Sequence, residues 1–227
     1  MGAFNTFRAL NQDGIATKLY KFQMSQMFTA ARQGGFTTSK HVEILKEGSC
    51  VGYTLLWIRQ QLKNDNTFAF SRDGTYTGVI PATTGGGVGM LGIRLQTLYQ
   101  QLCGAGTPEA IAGALESMGK CLGIQLNIDC DEEHDGLDDA LEAIREKPTG
   151  TVYYLDINML LNRTTETSHG IGVCHGLDGQ LYVFDPNCGE YAVDGPTMFA
   201  IYLEEAYGKY YTHAKFQKCF VCPVLTS

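Results

Sequence analysis

One stretch restricts the folds open to this chain more than any other. Ser168 to Asn187 reads as two short apolar strands joined by a tight, glycine-containing turn. His169 opens the first strand and Asp185 closes the second, sixteen residues on, with Leu177 at the midpoint. A turn centred on Leu177 sets the two directly opposite each other in an antiparallel pair, on one face, with Cβ atoms about 4.5–5.5 Å apart. A two-residue turn at Asp178-Gly179 puts them on opposite faces, because a one-residue slip inverts side-chain direction. The expected loop is therefore odd-numbered and runs from about residue 175 to residue 179, with His175 in the turn and away from Asp185. A carboxylate facing an imidazole is a base with its orienting group, and it calls for a nucleophile from elsewhere in the chain.

Cys50 is the candidate nucleophile. Ser49 suits an N-cap, and Cys50, Tyr53, Thr54 and Trp57 fall at i, i+3, i+4 and i+7, one face of a helix over 50–63. Leu55, Ile58 and Leu62 form an adjacent stripe, so burial on more than one side is expected. A thiol in the first turn of a helix meets the positive end of the macrodipole, which favours the thiolate. The amides there can also bind an oxyanion. Gly48 before Cys50, and Gly170 and Gly172 beside His169, leave room for close approach.

The rest of the chain reads as helices first and strands later, an α+β order within a single domain over 1–227. Residues 1–12 form a loose tail, and an irregular apolar stripe over 14–33 suggests a helix. Residues 64–90 read as a hairpin or loop insertion; its Gly85-Gly86-Gly87 run has no lysine at phosphate-loop spacing and is a mobile loop, not a phosphate cradle. Helices are expected over 91–102 and over 108–121, the second with Thr107 as cap and Pro108 at the first position. A strand over 123–129, an acidic loop over 131–135 and a short amphipathic helix over 137–146 follow. The Val-, Tyr- and Ile-rich segment 151–161 should be a strand, 196–210 a helix and 216–225 a final strand.

Composition excludes several classes. A net charge of −7 without a Lys/Arg cluster argues against nucleic acid or an anionic membrane as partner. No apolar run is long enough for a transmembrane helix, and Met1 to Tyr20 lacks the apolar block of a Sec signal peptide. The eight cysteines are expected to be reduced thiols in apolar segments. Cys219 and Cys222 have zinc-ligand spacing, but in a strand they point to opposite faces, so no metal or cofactor is expected. The acidic residues from Asp129 to Asp139 do not match a calcium loop.

With these residues in place, the chain resembles the YopT/AvrPphB-type cysteine proteases. The resemblance rests on Gly48-Ser49-Cys50 with Trp57 seven residues beyond the Cys, on Ser168-His169-Gly170-Ile171-Gly172, and on Tyr182-Val183-Phe184-Asp185-Pro186-Asn187-Cys188-Gly189-Glu190-Tyr191. It implies a papain-like fold, with a helical part bearing the nucleophile packed on an antiparallel sheet bearing His and Asp. It also implies delivery into a host cell, a host protein as substrate, Cys50 as nucleophile, His169 as base and acid, and Asp185 as the group orienting His169. One departure stands out. Residues 43–49 contain no Asn or Gln, the side chain such enzymes place before the Cys to donate into the oxyanion hole. The same three residues also serve a deamidase, transglutaminase or other acyl transferase, and a catalytically inactive binding module on this scaffold is the reading from another class.

Overall fold

The computed structural model describes residues 15–20, 50–63, 87–104, 106–208 and 214–226. Its strands are β1 (Ala16–Tyr20), β2 (Ile124–Leu126), β3 (Glu132–His134), β4 (Thr151–Leu161), β5 (Thr165–His175), β6 (Leu181–Asp185), β7 (Gly189–Val193) and β8 (Ala214–Thr226). Its helices are α1 (Cys50–Lys63), α2 (Gly87–Cys103), α3 (Pro108–Leu122), α4 (Leu137–Arg145) and α5 (Pro196–Gly208). The strands form one antiparallel sheet in the order β1-β7-β6-β5-β4-β8-β2, with β3 also paired to β8. The molecule is an α+β protein.

Alternation along the strands divides the apolar residues between two cores. Tyr153, Leu155, Ile157, Ile171, Val173 and Val183 face α4 and α5. Val152, Tyr154, Phe184, Cys222 and Val224 face α1, α2 and α3. Neighbouring residues on a strand point to opposite faces, so β4, β5, β6 and β8 each serve both layers. Cys219 and Cys222 accordingly lie in different cores.

The helix expected at the nucleophile runs over Cys50–Lys63 as read, and Tyr53, Leu55, Leu56, Trp57 and Ile58 are fully buried. The Trp57 ring stacks on Phe184 at 5.6 Å, and its Nε1 donates to Glu190 Oε1 at 3.2 Å. A Cβ on Gly172 would come within 2.5 Å of the Trp57 ring, so the glycine lets the helix lie on β5. Helix α3 starts where its cap was expected: Thr107 accepts from the Ala110 amide at 3.3 Å with Pro108 next in line. Gly123 ends it at φ 66°.

Several expectations need correction. Residues 16–20 are a strand, not part of a helix, because the edge of β7 supplies a ladder on which Ala16 pairs with Val193 and is buried. Helix α2 begins at Gly87, so the expected insertion over 64–90 is shortened at its end; residues 64–86, the tail 1–12, Gly48 and Ser49 lie outside the described residues. The acidic segment carries β3, which pairs with β8 and is held by Lys147 on Glu132 (2.7 Å) and Lys218 on Glu133 (2.8 Å). The strand expected over 123–129 stops at Leu126 and gives way to a 3-10 turn over Ile128–Cys130.

The hairpin register also differs. His175 is not in the turn; it ends β5 opposite Leu181, and its Nδ1 donates to the Lys147 carbonyl at 2.9 Å. The loop spans 176–180 and is centred on Asp178, not Leu177. Gly179 at φ 79° turns the chain so that the Gly176 amide reaches the Gln180 carbonyl at 2.8 Å, which extends the ladder by one pair. The loop is odd-numbered, as expected. Moving its centre by one residue moves every cross-strand partner by two, and that preserves the face.

Candidate active site

The site forms where β6 ends before β5 does. The last β5–β6 pair is Gly172 with Phe184, so the preceding residues of β5 have no β6 partner. Helix α1 fills the gap with two side chains four residues apart. Thr54 Oγ1 donates to the Gly170 carbonyl at 2.9 Å, and Cys50 accepts a backbone hydrogen bond from Gly170. Both main-chain groups of Gly170, which point to the same side of a strand, thus find partners on one helix face.

His169 and Asp185 sit on the other face of the sheet. His169 pairs with Ile157 of the α5-side core, and Asp185 shares the parity of Val183 in that core. Extending the ladder sets Asp185 opposite Ile171, so it meets His169 diagonally rather than head-on. The carboxylate still reaches the imidazole: Asp185 Oδ2 lies 3.3 Å from His169 Nε2, with both residues buried. Its Oδ1 accepts from the Asn187 and Cys188 amides at 2.6 and 3.2 Å, which fixes the carboxylate. The imidazole also hydrogen-bonds the Cys50 thiol. The structure thus brings Cys50, His169 and Asp185 together, with the imidazole in contact with both thiol and carboxylate.

Their electrostatics oppose burial. Desolvation alone raises a thiol pKa, yet the hydrogen bond and charge of His169, with the Gly170 amide, bring Cys50 below the ordinary thiol value against the effect of Asp156. Burial alone lowers an imidazole pKa, yet the charge and hydrogen bond of Asp185, helped by Cys50, push His169 up to about 10. The two shifts favour a thiolate beside an imidazolium.

Three neighbours escaped the sequence reading. Tyr207 of α5 puts its hydroxyl 2.7 Å from His169 Nε2. Asp156 of β4, on the strand position opposite Gly170, faces the α1 side, and burial holds its carboxyl above the usual range. Gln96 of α2 is buried and its Oε1 accepts from the Gly52 amide at 3.2 Å, so that first-turn donor is already engaged. No short-range pattern ties any of them to Cys50 or His169.

Fold and site together describe an α+β protein in which a helix start presents a thiol to a His and Asp on an antiparallel sheet. The crystal structure of the Pseudomonas avirulence protein AvrPphB has the same fold, with a TM-score of 0.56 at 15% identity over 80% of this chain and 94% of that one. No protein-family model and no curated protein sequence matches the chain. Among the described residues, no helix is long and apolar enough to cross a membrane.

Proposed function

We propose that the chain is a papain-like thiol peptidase, a single domain that is delivered into a host cell and acts on a host protein. The observation that carries this reading is the row Cys50–His169–Asp185, with the thiol pulled down and the imidazole pushed up. In this mechanism the Cys50 thiolate attacks a peptide carbonyl carbon and forms a C–S bond. The oxyanion is met at the start of α1, where the Cys50 N–H has no intrahelical acceptor. His169 gives its proton to the departing amine as the C–N bond breaks, leaving a thioester. It then takes a proton from water, whose oxygen attacks the thioester and releases Cys50. Asp185 holds the imidazole throughout. The likeness to a Pseudomonas avirulence protein supports the host-cell setting.

The test is to incubate host-cell lysate with the chain and with Cys50→Ala, then map new protein N-termini by mass spectrometry. New termini made by the unaltered chain alone are expected. Their absence overturns the peptidase reading. A deamidation or acyl-transfer product in their place assigns the same site to a different acceptor, and an inert Cys50 leaves a binding module.

A further inference from the structure

Where His169 and Asp185 meet diagonally, a third side chain reaches both the imidazole and the carboxylate. Tyr207 Oη is 2.7 Å from His169 Nε2, closer than the 3.3 Å that separates this nitrogen from Asp185 Oδ2. The hydroxyl also lies 3.0 Å from Asp185 Oδ2 and 3.3 Å from Oδ1, and it accepts from Asn187 Nδ2 at 2.9 Å. A phenol has one hydrogen and two lone pairs. The Asn187 Nδ2 group can only donate, and the Asp185 carboxylate can only accept. The hydroxyl hydrogen therefore goes to Asp185, and the remaining lone pair takes the His169 Nε2–H. Every bonding position of the oxygen is used. The ring is held as well, edge-on to His169 at 5.4 Å and against Phe216 at 5.8 Å.

We propose that Tyr207 is a positioning residue: its hydroxyl links Asp185 to His169, fixes the proton of the neutral imidazole on Nε2, and leaves Nδ1 for Cys50. The inference rests on the reading of Cys50 and His169 as nucleophile and base. Asp185 then acts on His169 partly through its charge and partly through a phenol that it orients. Burial and the Asp185 charge keep the Tyr207 hydroxyl protonated well beyond the usual phenol range, so it remains a donor to the carboxylate. Among the described residues, the other titratable groups that act electrostatically on His169 or feel its charge are Cys50 of α1, Asp185 of β6 and Asp156 of β4.

The experiment titrates His169 by NMR in the full chain carrying nitrogen-15 in its imidazoles. Tyr207→Phe removes an acceptor from the charged ring and is expected to lower the His169 pKa by about one to two units, the size of one charge-assisted hydrogen bond. Replacing Tyr207 with 3-fluorotyrosine keeps the shape, weakens the oxygen as acceptor and strengthens its bond to Asp185. Both effects lower the His169 pKa, so a smaller shift of the same sign is expected even if the Phe variant fails to fold. An unchanged His169 pKa in either folded variant overturns the inference. Iodoacetamide labelling of Cys50 in the unaltered chain separates the two readings: an inert thiol removes the peptidase, whereas a reactive thiol with an unmoved His169 titration removes only the role of Tyr207.

Discussion

The two faces of the sheet are built on different principles. On the α1 side, contact depends on missing side chains. Gly52 lets α1 approach the Gly92 carbonyl of α2, and Gly172 lets Trp57 lie on β5. That side contributes a thiol at a helix start, with the carboxyl groups of Asp156 and Glu190 on the same face. On the α5 side, His169, Asp185 and Tyr207 are buried in an apolar core and hydrogen-bond with one another and with the half-buried Asn187. The first side sets position through packing, and the second sets proton affinity through charge. The site needs both, because Cys50 reaches His169 only through the gap where β6 stops. Changes on the two sides should therefore fail differently.

The largest effect belongs to the charged side. His169→Ala should cut the turnover of any substrate identified in the lysate experiment by about 10²–10⁴-fold, the usual worth of a positioned general acid–base, while the unfolding midpoint in urea changes far less. An equal loss of fold and activity would erase the distinction between the sides. On the packing side the order reverses. Gly52→Ala drives a methyl into the Gly92 carbonyl and should cost about 1–3 kcal/mol in urea unfolding, the range for overpacked interiors. Thr54→Val keeps the shape but leaves the buried Gly170 carbonyl without its donor. A loss of about 1–3 kcal/mol is expected, at the low end if water reaches the carbonyl.

The smallest effect is on the pH dependence of stability. The charge and hydrogen bond of Asp185, with Cys50, push the His169 pKa up to about 10, above the ordinary imidazole value of 6.5. Its contribution is therefore fully present below the unfolded value and is lost as pH rises through the folded one. Cys50 has the opposite sign: its lowered pKa contributes above the ordinary thiol value and is lost as pH falls through the folded value. In Cys50→Ala the opposing contribution is gone, and so is the part of the His169 shift that Cys50 supplies. Asp185 still raises the imidazole, so the thermal midpoint should decline as pH rises above 6.5, and His169→Ala in that background should flatten the decline. A decline of the same size without His169 would place its cause elsewhere.

Much of this division was legible in the sequence. The start of α1 and the strand 151–161 follow from local periodicity and matched to the residue. Cys50, His169 and Asp185 could be singled out because a helix start and a hairpin are local devices. The hairpin register was two residues off in partner because loop closure depends on Gly179 taking a positive φ, which spacing alone does not reveal. Face survives such a slip, so the pairing of His169 with Asp185 held while its geometry changed from opposed to diagonal. Strand β1 was read as helix because its partner, β7, lies far along the chain. Tyr207 and Gln96 were invisible for the same reason: each reaches the site from a helix whose own pattern reports only a buried stripe.

The central claim is that Cys50 and His169 form one titrating pair across the two faces. Its most direct test is the rate of Cys50 alkylation by iodoacetamide, mapped by peptide mass from mildly acidic to alkaline pH, in the unaltered chain and in His169→Ala. Ordinary thiols react appreciably only as pH approaches about 8.5. The expected result is rapid labelling of Cys50 at neutral and mildly acidic pH, with His169→Ala moving the reaction to the alkaline side. A Cys50 that titrates like an ordinary thiol, or one whose profile ignores His169→Ala, would contradict it.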